Sequence, residues 1–161
     1  MTTKTVATQA AYAFVGYYFV EQSQQLLLGK KLQTGDRPVE ILWDWRRVSE
    51  RGFEVKLGVN VEAAKEIPER LNVVLVGRFS CVGPGTTSES EEFASINAVA
   101  ILLPYVREAL SSLSGRGPFG AYVLQPINVV EMAKSFDLKR ATAARRLPQQ
   151  KKKAITSGRT R

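Results

Sequence analysis

The stretch Phe93 to Asn128, FASINAVAILLPYVREALSSLSGRGPFGAYVLQPIN, decides how this chain must fold. Phe93, Ile96, Ala100, Leu103, Val106, Leu110 and Leu113 recur at steps of three and four, the period of one helix face. Val99, Ile101, Leu102 and Tyr105 add apolar residues on a second flank, more than a lid over one sheet requires. The reading is a long helix that also meets another subunit, with Ile101, Leu102, Tyr105 and Val106 as candidate interface residues. Pro104 removes one backbone donor and predicts a kink. Ser114 to Pro118 terminates the helix, Ala121 to Leu124 reads as extended, and Asn128 suits the N-cap of a short second helix from Val129 to Phe136.

Working back from the helix, the preceding residues read as four strands. Ala11 to Val20 is aromatic and β-branched with both alternating faces apolar, the pattern of a strand covered on each side. The next segment, with Gly29, Gly35 and Pro38 as breakers, reads as a crossover loop carrying Leu26, Leu27, Leu28 and Leu32. From Val39 to Val48, Val39, Ile41, Trp43 and Trp45 share one face and Glu40, Asp44 and Arg46 the other; Phe53 to Val61 repeats the alternation, so the pair reads as an antiparallel hairpin. After a charged loop interrupted by Pro68, Leu71 to Val82 makes the fourth strand, and Gly83-Pro84-Gly85 ends the sheet. Acids at Glu89, Glu91 and Glu92 suit the start of the long helix.

The chain of 161 residues, 44% hydrophobic, suits one domain. It has no histidine and one cysteine, Cys81, which excludes imidazole and thiolate metal cages, Ser-His and Cys-His nucleophile pairs, and an intrachain disulfide. Glu91-Glu92 reads as a helix-dipole pair rather than a general acid and base, and the glycine clusters lack the spacing of a P-loop. No enzyme chemistry, metal or cofactor is implied. The net charge of +8 is uneven: residues 139–161 hold nine cations and no acid, leaving fourteen cations against fifteen acids in the body. Residues 1–10 read as a flexible N-terminus and 139–161 as a basic, partly disordered tail, able to meet nucleic acid or an anionic surface. Ala10 to Val20 lacks the cleavage site of a secretory signal, and no run reaches the roughly twenty apolar residues of a membrane span. A cytoplasmic location is expected.

Three consecutive leucines at 26–28 are unusual on a loop and call for a partner, a subunit or a client. Trp43, Trp45, Phe79 and Tyr18 can fill a core or line a groove for apolar ligands.

At Leu103-Pro104-Tyr105 with Arg107-Glu108, then Arg116-Gly117-Pro118-Phe119, then Leu124 and Pro126-Ile127-Asn128, the chain resembles the SecB family of export chaperones. Four strands, a long helix and a short second helix are also the family's layout, so the resemblance covers residues 11–138. It implies an α+β fold with a four-stranded antiparallel sheet. It further implies a homotetramer, a dimer of dimers whose eight-stranded sheets sandwich the long helices. The implied function is ATP-independent holding of unfolded polypeptides, chiefly preproteins for Sec-dependent export, in an apolar groove. The regions that form such grooves in the family hold Leu26, Leu27, Leu28, Leu32, Trp43, Trp45, Met132 and Phe136 here. Gly120 stands where the family has proline. Asn72 to Val76 carries no acid, whereas the family docks the SecA motor through acidic sheet surface, so the resemblance is weaker for SecA than for clients. A SecB-like chaperone of a toxin-antitoxin system is the alternative client reading, and nucleic-acid binding through the tail the rival of another class.

Overall fold

The computed structural model describes residues 11–82 and 91–134. It forms two compact units, one through Pro126 and one from Ile127 onward. In the first, β1 (Tyr12–Leu26), β2 (Val39–Arg47), β3 (Gly52–Val61) and β4 (Glu69–Cys81) make one antiparallel sheet in the order β1-β4-β3-β2, followed by helix α1 (Glu91–Ser114). In the second, residues 129–134 are helical, α2. Asn128 caps α2, its Oδ1 accepting the Glu131 N–H at 3.2 Å. The α+β layout is therefore the one anticipated.

Strict alternation explains the sheet. Phe53, Val55, Leu57, Val59 and Val61 on β3, and Leu71, Val73, Leu75 and Phe79 on β4, are all buried and form the face under α1. The fit is closest at Gly77 of β4, where a built Cβ would lie 2.5 Å from Leu102 of α1, so that only glycine admits the helix at this distance. The turn between β2 and β3 closes through Val48 and Ser49 N–H groups, both donating to the Gly52 carbonyl.

Three expectations require correction. β1 does not stop at Val20 but continues through Glu21 to Leu26, pairing Gln22 with Val73 and Gln24 with Leu71. Polar residues are tolerated there because β1 is an edge strand whose backbone, rather than its side chains, supplies the pairing. The strand is also not covered on both sides within the chain: shifts of register between Phe14 and Gly16 and between Phe19 and Glu21 leave Val15 and Val20 exposed. The uniform stripe on the long helix also breaks down. Ala94–Ala98 form a wider π turn, and the residues under cover are Ala94, Ala98, Val99, Leu102, Leu103, Val106, Ala109 and Leu110, while Ala100 is exposed. An extra residue in one turn rotates the face that follows it. The helix then runs on through Pro104 to Ser114.

By length and composition α1 could cross a membrane, with a mean hydropathy of 1.3 over its most apolar window. Here its apolar side is spent on the sheet. The predicted N-terminal segment, the Gly83-Pro84-Gly85 turn, Phe136 and the basic tail lie outside the described residues.

Candidate polypeptide-binding site

The leucine run is split by the end of β1. Leu26 is its last residue and 45% exposed, Leu28 is 73% exposed, and Leu27 between them turns inward and is buried. The Leu27 N–H donates to the Pro68 carbonyl at 2.7 Å, which holds the alternation at this corner. Leu32 is half-buried. Trp43 and Trp45 lie on β2; Trp43 is buried, and Trp45 meets Phe53 edge-on at 6.2 Å. Met132 lies on α2 in the second unit.

The candidate interface set divides too. Leu102 and Val106 are fully buried under the sheet and have no surface to give a neighbour. Tyr105 meets Tyr17 with rings tilted at 4.2 Å and stacks on Phe14 at 5.9 Å, and Ile101 is half-buried. Besides Leu26, β1 exposes Val15, Tyr17, Tyr18 and Val20.

Beneath Leu26 lies a buried polar cluster that the sequence reading missed. Glu69, the first residue of β4 and partner of Leu26, is 1% exposed; its Oε1 accepts from Gln24 Nε2 at 2.5 Å. Arg37, at the end of the crossover segment, donates from Nε to the Glu62 carbonyl (3.2 Å) and from Nη2 to the Glu69 carbonyl (2.6 Å). Its Nη2 lies 3.7 Å from Glu69 Oε2, which accepts no hydrogen bond among the described residues. Burial pulls the Arg37 pKa below the ordinary arginine value, with the Glu69 charge opposing it. The guanidinium face covers the Tyr122 ring at 4.9 Å. Burial pushes the Tyr122 hydroxyl above its ordinary range, against the pull of Arg37.

Tyr122 belongs to residues 115–126, a strap after α1. Ser114 fastens this strap to the helix end: its Oγ donates to the Leu110 carbonyl at 2.7 Å and accepts the Tyr122 N–H at 2.6 Å. Gly117 packs so closely on Gln24 and Glu69 that a Cβ there would collide with both. Gly120 has φ +80°, which proline cannot adopt, so the family's proline has no place in this backbone. The strap exposes Phe119 (39%) and Val123 (66%). The cluster thus ties together two segments that each carry exposed apolar side chains, Leu26 and Leu28 on one and Phe119 and Val123 on the other. Phe119 was legible only as part of a motif and Val123 only as part of an extended segment; their exposure was not.

The sheet face away from α1 is different in kind. Glu54 on β3 is held by Arg46 of β2 through two bonds (2.8 and 3.1 Å) and by Arg78 of β4 (3.1 Å), while Arg78 lies over Tyr18 at 5.1 Å. These bonds, that to Arg46 first, hold the Glu54 carboxyl below its usual range. Two shallow depressions of about 350 and 330 Å³ lie on this side, one bordered by Tyr18, Lys56 and Val76, the other by Leu42, Gly58 and Val74. Trp45 borders the first and Trp43 the second.

The profile of one protein family, described as preprotein translocase subunit SecB, matches residues 20–136. The chain belongs to the SecB family. It is 38% identical over 91 residues to the protein-export protein SecB of Alcanivorax borkumensis, covering 52% of this chain and 55% of that one. It is 34% identical over 80 residues to an uncharacterised protein of Methanocaldococcus jannaschii, covering 50% of each. The chain thus spans about half the length of these curated relatives. Among solved structures it is similar to the SecB-like chaperone of Mycobacterium tuberculosis, in complex with a ChAD peptide from the HigA1 antitoxin. That match has TM-score 0.56 and 14% identity, and covers 73% of this chain and 91% of the other. This likeness concerns the fold.

Proposed function

We propose that this SecB-family protein is an ATP-independent holdase that binds unfolded polypeptide, acting as a cytoplasmic homotetramer built as a dimer of dimers. The observation that carries the reading is the exposure of Leu26, Leu28, Phe119 and Val123 on two segments joined at one end of the sheet. Apolar side chains held on rigid segments can accept extended chains without reading their sequence. Leu32, Trp43, Trp45, Met132 and Phe136 remain candidate contributors. Exposed aromatic and β-branched residues along the β1 edge support pairing between copies.

The protein should slow aggregation of a reduced, unfolded client at stoichiometric tetramer without ATP. Leu28→Ser should weaken that activity with little loss of stability. Failure to suppress aggregation would overturn the proposal.

Two client classes fit. Preproteins for Sec-dependent export follow from the family. An antitoxin segment is favoured by the acid-free Asn72 to Val76 stretch of β4 and by the peptide carried by the mycobacterial relative. Recovery of SecA in a pull-down at moderate salt would favour export; tight binding of an antitoxin C-terminal peptide without SecA would favour the second.

A further inference from the structure

We propose that Tyr122 is a positioning residue: its ring, clamped on Arg37, latches the strap to the crossover segment and sets the spacing of the two apolar segments that grip a client. The client part of this inference rests on the holdase reading; the latch itself does not.

Arg37 anchors the latch. Its planar fork is committed to two backbone carbonyls, those of Glu62 and Glu69, which fixes the orientation of the guanidinium. The side chain is only 10% exposed, so its remaining flat face must be covered by a group that tolerates a cation. The Tyr122 ring is that group. In a desolvated place such a contact is stronger than at an open surface.

Arg37 cannot serve only to neutralise Glu69. The two charges are 3.7 Å apart without a hydrogen bond, while the short bond of Arg37 goes to the Glu69 backbone. Its placement is set by the loop it holds rather than by the carboxylate it faces. The crossover segment is otherwise fixed by backbone bonds to the β3–β4 connection, from Leu27 to Pro68, from Lys65 to Gln33 and from Glu62 to Pro38. The strap is otherwise fixed to α1, through Ser114 and through Arg107 Nη2 to the Gln125 carbonyl, and packs through Gly117 on Gln24 of β1 and Glu69 of β4, neither of them in the crossover segment. Among the polar and aromatic contacts of the described residues, the Arg37–Tyr122 stack is the link between crossover segment and strap. Val123, the neighbour of Tyr122, is exposed beside it.

The test compares Tyr122→Leu with Tyr122→Phe in the full chain, reading amide exchange, urea midpoint and affinity for a fluorescent extended peptide rich in leucine and phenylalanine. Leucine fills space but has no ring face; phenylalanine keeps the face and loses only the hydroxyl. Tyr122→Leu should speed exchange in both 27–38 and 116–124 and weaken the peptide about ten-fold. Tyr122→Phe should match the native protein in both respects. Unchanged exchange in 27–38 for Tyr122→Leu, or a Tyr122→Phe protein as loose as Tyr122→Leu, would overturn the latch. Loosening of both segments with native peptide affinity would overturn the positioning role and leave the holdase reading intact. If the native protein binds no peptide, the holdase reading fails, and the exchange comparison alone still judges the latch.

Discussion

Single residues carry most of the constraints on this protein. Gly77 shows how narrow they can be: Leu102 is fully buried, so its methyl groups have nowhere to retreat from an added Cβ. Gly77→Ala should therefore cost about 1–3 kcal/mol, read as a lower urea midpoint with an unchanged slope. The leucine run makes the opposite point, since three identical neighbours do different work. Leu27→Ser buries a hydroxyl and removes packed carbons, and should destabilise by about 2–5 kcal/mol. Leu28→Ser, on a side chain 73% exposed, should change stability by less than about 0.5 kcal/mol and act on client holding instead. Periodicity could not separate these leucines, because the boundary between strand and loop falls among them.

At the scale of elements, edges and connections behave differently from the core. The β3 alternation was plain in the sequence, and its apolar face is buried throughout; β4 read as apolar on both faces in its first half, and folding buries Leu71, Val73, Leu75 and Phe79 on the side of α1. The polar second half of β1 was not, because its pairing with β4 is decided by backbone bonds that polar and apolar residues make equally well. Salt bridges across strands also escape a sequence reading. Glu54 with Arg46 and Arg78, and Glu62 with Arg70 and Asn60, are held below the usual carboxylate range, for Glu54 chiefly by the bond to Arg46 and for Glu62 by that to Asn60. A carboxylate with a depressed folded pKa contributes stability above its unfolded pKa and loses it as pH falls through the folded value. The urea midpoint should thus be flat from about pH 7 to 5 and fall below about pH 4, and Arg46→Ala should flatten that fall. A profile for Arg46→Ala parallel to the native one would refute the assignment. The end of α1 offers a second check: Ser114→Ala leaves the Tyr122 N–H without its acceptor and should cost about 1–3 kcal/mol by urea unfolding.

At the scale of the whole molecule, assembly depends on which apolar residues folding leaves exposed. The long helix invited the idea that its spare flank meets another subunit. Folding instead consumes Leu102 and Val106 within the chain, packs Tyr105 on β1, and leaves Val15, Tyr17, Tyr18 and Val20 exposed along β1. On the tetramer proposal, native mass should be four times 17.8 kDa, and Val15→Lys with Val20→Lys should lower it without unfolding the protomer. A native protein of one-chain mass would refute the tetramer. A chain ending at Leu138 tests the tail: loss of salt-dependent RNA or DNA binding on truncation would assign that binding to the nine cations, and equal binding by both would remove the tail from the question.

By itself the sequence determined the element order, the buried face of β3, the end of α1 at Ser114, the Asn128 cap of α2 and the family, because each depends on patterns a few residues long. Tertiary structure decided which apolar residues were left over. Phe93 to Asn128 announces a helix and a turn. Only packing against Gly77, the π turn at Ala94–Ala98 and the seat of Tyr122 on Arg37 settle which of its side chains the fold consumes. The physical reason is that exposure is a remainder: it is known only when every neighbour, near and far in the chain, has taken its place.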